Sequence, residues 1–169
     1  MPRLVSYFEI SILPAPIKEE LRPSSTVDTL GPKTEDCIAI GLATKLFDGK
    51  AMLPGWNHHS FGYHSDNGGL YHGSGRLRKR FRPFGPGDAV GCGVDYATQG
   101  IFFTCNGSFL GYAWKELNVD FLAENPLYPV VGVDSGYPVN INYGNKPFEY
   151  DLTTHSMKYS SLISKRYRL

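Results

Sequence analysis

Between Gly100 and Trp114 the sequence reads GIFFTCNGSFLGYAW. Asn106-Gly107 splits two apolar, aromatic runs. A two-residue type I′ turn needs positive φ at both central positions, which asparagine and glycine supply at little cost. This stretch therefore predicts a tight β-hairpin, and the rest of the chain repeats its rhythm. Ser6–Leu13 alternates Tyr7, Glu9 and Ser11 with Phe8, Ile10 and Ile12. Cys37–Thr44 is almost wholly apolar, Ser60–Asp66 alternates aromatic and polar residues, and Ala89–Ala97 is a further apolar run. Leu127–Asp134 and Pro138–Gly144 are expected to pair around SGYP. Val139, Ile141 and Tyr143 would take one face of that pair, and Asn140 and Asn142 the other. Lys115–Asn125 is compatible with one helical turn, ended by Pro126. Short strands with frequent Gly and Pro breaks predict an all-β sandwich or closed barrel with few or no helices.

At 169 residues the chain is expected to form one domain with a real core. A net charge of +1 gives no reason to expect a polyanionic partner. No apolar run is long enough for a membrane span. MPRLVSYFEI lacks the apolar stretch of a secretory signal, although a removed signal would leave the same trace. Cys37, Cys92 and Cys105 are an odd set, each within an apolar run. They read as small buried hydrophobes in a reducing compartment, not a disulfide scaffold. Two stretches break the pattern. Residues 14–36 are polar and proline-rich, long for a hairpin loop, and expected to be an excursion or disordered. The tail His155–Leu169 is basic, with Tyr159 and Tyr167 among its cations, and suits an extension, an edge strand or a short helix.

The stretch LPGWNHHSFGYHSDNGGLYHGSG (Leu53–Gly75) carries four histidines. Adjacent His58 and His59 diverge on an extended chain, and no zinc-type spacing links the four, so no metal is expected. Ser60, Ser65 and Ser74 lie near histidines and Asp66, but none sits in a nucleophile elbow. Asp88, Asp95 and Asp134 would be the carboxylates of a glycosidase, with no spacing that selects a pair. Gly73–Gly75 lacks the context of a phosphate loop, and no cofactor is expected. RLRKRFR (Arg76–Arg82) is the sharpest charge feature. It suits phosphates or an acidic peptide, against the plainer reading of a solvated loop.

Eight pieces resemble the SPRY family in its own order, and within it the RanBPM-like subgroup. They are YFEISIL at Tyr7, IAIGLAT at Ile38, LPGW at Leu53, SFGYHSDNGGLYHG at Ser60, FGPGDAVGCGVD at Phe84, IFFTCNGSFLGYAW at Ile101, LYPVVGVDSG at Leu127 and VNINYGNKPFEYDL at Val139. The resemblance implies a bent antiparallel β-sandwich of concanavalin-like jelly-roll type over residues 1–152, with 153–169 as a basic C-terminal extension. Strands that relatives carry before YFE are missing from it, which would leave an edge or part of the core uncovered.

It implies a non-catalytic protein-interaction module without cofactor, in the cytoplasm and also the nucleus. Loops at one end of the sandwich would take a short motif or loop of another protein. Relatives often recruit substrates to ubiquitin ligase assemblies or act as scaffolds in chromatin and signalling complexes. By position, Tyr71 matches a peptide-contacting tyrosine, and Asp134, Ser135 and Gly136 match another wall of that pocket, with Tyr137 following. Peptide-binding relatives carry tryptophan where this chain has Asp134, so their specificity is not carried over. Trp56 is expected at the rim, with Asp66 and Asn67 on the surface. Arg78 and Arg80 would supply charge from a variable loop. The alternatives are a carbohydrate-binding or carbohydrate-active sandwich, and an RNA binder acting through Arg76–Arg82.

Overall fold

The structure, a computed structural model, describes residues 5–14, 36–50, 52–118 and 124–155. The expected loop at 14–36 and the basic extension therefore lie almost wholly outside the described residues, and the helical turn at 115–125 does so in part. Among the described residues there are ten strands: β1 (Val5–Ile12), β2 (Cys37–Ala43), β3 (Ser60–His64), β4 (Gly69–His72), β5 (Leu77–Arg80), β6 (Ala89–Asp95), β7 (Gly100–Cys105), β8 (Ser108–Trp114), β9 (Tyr128–Asp134) and β10 (Val139–Asn142). They form two five-stranded sheets: sheet A in the order β10-β1-β6-β7-β8, and sheet B in the order β5-β4-β3-β2-β9. Every pairing is antiparallel. The expected all-β sandwich is the fold.

The core lies between the sheets. Sheet A contributes Phe8, Ile10, Ile12, Val90, Cys92, Val94, Ile101, Phe103 and Cys105; sheet B contributes Ile38, Ile40, Leu42, Phe61, Tyr63 and Leu70. These are alternate residues of each strand, because successive side chains point to opposite faces. Each fully buried large apolar side chain is worth roughly 1.5–3 kcal/mol. All seven residues of β2 and of β6 are buried, so both faces of these strands are covered. That double covering is why they read as continuous apolar runs.

The hairpin forms as its sequence demands. Asn106 and Gly107 have φ of 48° and 70°, and Cys105 faces Ser108. The expected pairing of the segments around SGYP does not form. β9 pairs with β2 in sheet B, whereas β10 pairs with β1 in sheet A. The linker between them crosses from one sheet to the other, and Leu13 donates its N–H to the Pro138 carbonyl at 2.9 Å. β2 and β1 each offer an open edge, and pairing there covers the main-chain groups of both; a local hairpin would leave both bare. The expected facing of β10 survives: Val139 and Ile141 lie opposite Ile12 and Ile10, and Asn140 and Asn142 opposite Ser11 and Glu9. Pro129 is tolerated in β9 because β9 is an edge strand.

The segment expected as a solvated loop at Arg76–Arg82 is in part a strand. Leu77–Arg80 forms β5 beside β4, with all four side chains exposed. Main-chain pairing does not require apolar side chains when the strand is short and at an edge.

A second, smaller core covers the outer face of sheet A. Phe102 packs there among Tyr7, Phe109, Tyr112, Tyr150 and His155. Glu9, only 5% exposed, anchors this cover. Its carboxylate accepts the Tyr7 hydroxyl at 2.7 Å and the N–H groups of Glu149 and Tyr150 at 3.0 Å each. Burial without these donors would cost several kcal/mol, so the charge needs the clamp as much as the clamp needs the charge.

Candidate functional site

The site grows from the outer face of sheet B. Tyr71 lies opposite Gly62, and Leu70 beside it points into the core, so the Tyr71 ring faces outward. His64 shares that face and is only 3% exposed, because residues 53–56 lie over it. Its Nε2 bonds the Pro54 carbonyl at 2.8 Å, and its ring sits 4.4 Å from Tyr71 and 6.2 Å from Trp56. Gly62 lets this layer close: a Cβ there would collide with the Pro54 carbonyl. Trp56 is left 47% exposed, a rim residue. Asn67 fixes the Tyr71 hydroxyl with its Nδ2 at 2.9 Å and caps its own turn by accepting the Gly69 N–H at 2.6 Å.

The turn that carries Asn67 also carries Asp66, which faces a cleft of about 260 Å³ at one end of the sandwich. Ile38, Ser65, Phe84, Ser135 and Tyr137 line the same cleft. Ser65 pins the turn to β2, accepting the Ile38 N–H through Oγ at 2.8 Å. Asp134 is exposed at the end of β9, opposite Cys37, and Gly136 is exposed in the loop that follows. Arg80 lies opposite Gly69 on the outer face, and Arg78 sits at the irregularity where β5 meets Tyr71. Trp56, Asn67 and Tyr71 thus form one cluster, Asp66, Ser135 and Tyr137 a second, and Arg78 and Arg80 a flank. The turn at Asp66-Asn67 joins the first two.

Sequence reasoning missed His64 as the link between Tyr71 and Trp56, Cys37 as the neighbour of Asp66, and Phe84 as a wall of the cleft. The β2–β3 register creates these contacts, and no spacing in the chain announces them.

Ser60, Ser65, His64, His72 and Cys37 each hold a hydrogen bond. Ser60 Oγ accepts the Gly55 N–H at 2.8 Å and donates to Asn57 at 3.1 Å. His72 Nδ1 bonds the Ser60 carbonyl at 2.8 Å. Burial lowers the pKa of His64 and of His72, only partly offset by these carbonyl contacts. Cys37, His64 and Asp66 bring three donor atoms within 4.8 Å of one another, a set that suits a divalent metal in type. As the site stands, the Cys37 thiol donates to Asp66 at 3.5 Å. Burial first, then the Asp66 charge, pushes that thiol up to about 11. The pair is therefore a thiol–carboxylate hydrogen bond at neutral pH.

Asp88 precedes β6 and Asp95 ends it, seven residues and about 23 Å apart along an extended chain. That is too far for a glycosidase pair. Asp95 is also committed elsewhere. It is 1% exposed, accepts Tyr112 at 2.6 Å and lies 3.5 Å from His155. Burial raises its pKa, but His155, Tyr112 and Thr98 outweigh that and hold it near 2. Among the described residues no helix is long and apolar enough to cross a membrane.

The SPRY domain model matches residues 26–146. The Ran-binding protein M homolog of Arabidopsis thaliana is 40% identical over 120 residues, covering 68% of this chain and 23% of the relative. The Ran-binding proteins 9/10 homolog of Drosophila melanogaster is 36% identical over 122 residues, covering 72% of this chain and 12% of the relative. The chain thus spans less than a quarter of the length of these relatives. A crystal structure of a human SPRY domain superposes with a TM-score of 0.60 at 28% identity, covering 84% of this chain and 78% of that one. The SPRY domain of human HERC1 shares the fold with a TM-score of 0.59 at 18% identity, covering 85% and 77%.

Proposed function

The chain belongs to the SPRY domain family, and on that premise we propose that it is a non-catalytic module that binds a short segment of another protein. The observation that carries this reading is the junction at Asp66-Asn67. There an aromatic rim of Tyr71 and Trp56 meets a cleft with Ser135 and Tyr137 in its wall. A cleft of this size takes one or two side chains, and the rim offers flat aromatic area for the peptide beside them. The hydrogen bonds that engage Ser60, Ser65, His64, His72 and Cys37 support binding over chemistry. Charge from Arg78 and Arg80 would select among partners. Recruitment of substrates to a ubiquitin ligase assembly, in the cytoplasm and the nucleus, is the cellular role this reading favours.

Affinity capture from native extract tests it, comparing the wild-type chain with Tyr71→Ala/Asp134→Ala. The variant is expected to lose the captured partner while keeping the wild-type melting temperature within a few degrees, about 1 kcal/mol or less. Undiminished capture by the folded double variant would sink the proposed surface. Tyr71→Phe keeps the ring and its packing on His64, and is expected to retain capture.

A further inference from the structure

We propose that β5 is a docking edge for an acidic, extended segment of a partner protein, which adds to sheet B beside β5 as a new edge strand. This rests on the protein-interaction reading above and names the chemistry of the partner. Among the described residues β5 pairs with β4 alone, so its far side presents main-chain N–H and C=O groups without a strand partner. All four of its side chains are exposed. Among the described residues no carboxylate lies within ion-pair distance of Arg76, Arg78, Lys79 or Arg80, whereas Arg82 is engaged by Asp88 at 3.4 Å. The chain as a whole is near neutral, so this concentration of cations is local.

The register distributes the charge over both faces. Leu77 and Arg80 lie opposite Tyr71 and Gly69 on the outer face. Lys79 lies opposite Leu70 on the other face, with its ammonium 5.0 Å from the centre of the Phe81 ring. A strand laid along β5 therefore meets a cation on each face, and Leu77, 37% exposed, beside them. Acidic residues on both faces, with an apolar residue near Leu77, are the matching pattern. Edge cations repel basic strands and would lose hydration against an apolar one, which protects a bare edge from aggregation. The same cations favour an acidic strand, so the one device gives selectivity. RNA would neutralise the cations and leave the main-chain groups of the edge unmatched; an extended peptide satisfies both.

The test uses the whole chain and a fluorescent peptide of paired glutamates separated by paired threonines, which places glutamate on both faces of an extended strand, with one central leucine. Three probes accompany it: its glutamine counterpart, a version N-methylated at every residue so that neither edge can donate, and oligouridylate. The acidic peptide is expected to bind. Its glutamine and N-methylated forms, and the Arg78→Glu/Arg80→Glu chain, should each weaken binding by about tenfold or more, roughly 1.4 kcal/mol. Equal binding of the N-methylated peptide would overturn strand addition, because charge alone would then suffice. Failure of the acidic peptide to bind, or tighter binding of oligouridylate, would also overturn it. If strand addition fails while partner capture still depends on Tyr71 and Asp134, only this inference falls. Loss of that dependence with the peptide still bound would strike the proposed surface instead.

Discussion

His64 and His72 serve the packing of sheet B. His64 holds residues 53–56 through the Pro54 carbonyl, and His72 holds β3 through Ser60 while stacking on Phe61 at 3.9 Å. Both are favoured neutral, because burial lowers their pKa below 6.5. The unfolded chain then binds more protons than the folded one as pH falls below 6.5. Stability should be fully present above 6.5 and decline as the pH drops toward the folded-state values. A melting series from about pH 7.5 to about pH 5 checks this. A flat profile, or an equal slope in His64→Gln/His72→Gln, would count against it. Asp95 acts in a lower window. Its pKa is depressed from 3.8 to about 2, so its contribution is present above 3.8 and is lost on acidification between those values. None of these roles was legible in the sequence, because each depends on a partner brought close only by strand register.

Glu9 is the clearest case in which one residue decides the state of a whole element. Its alternation in β1 was legible and predicted an outward side chain, which it has. Its burial was not legible, because the cover comes from residues 148–155 at the far end of the chain. Glu9→Ala should free the Glu149 and Tyr150 amides and cost about 1.5–3 kcal/mol, as for a hydrogen-bonded charge. Hydrogen exchange read at those two amides separates local release from global unfolding; unchanged protection there would contradict the clamp. The hairpin at Asn106-Gly107 shows the opposite case. Its turn chemistry is local, so the sequence alone determined it. The apolar runs of β2 and β6 revealed strands buried on both faces, but not what covers them.

Across the whole molecule, the two sheets meet unevenly. Cross-strand partners share a face, so Val133 opposite Ile38 and Ile141 opposite Ile10 both point inward. Yet these residues are 49% and 43% exposed, because β9 and β10 are edge strands on the same side of the sandwich. Val133→Thr and Ile141→Thr should therefore each shift stability by only about 0.5 kcal/mol, read by thermal melting. A large loss of melting temperature would mean that these side chains are sealed in solution. The sequence by itself determined most of the strands, though not β4 and β5, together with the hairpin, the inward and outward faces and the family, because turn chemistry and period-two alternation act between near neighbours. Tertiary structure alone decided that β9 and β10 join opposite sheets. It also seated His64 between Tyr71 and Trp56 and set Asp66 beside a cleft. Edge pairing and side-chain proximity follow from which strands become neighbours, and the free energy of that choice is summed over the whole core.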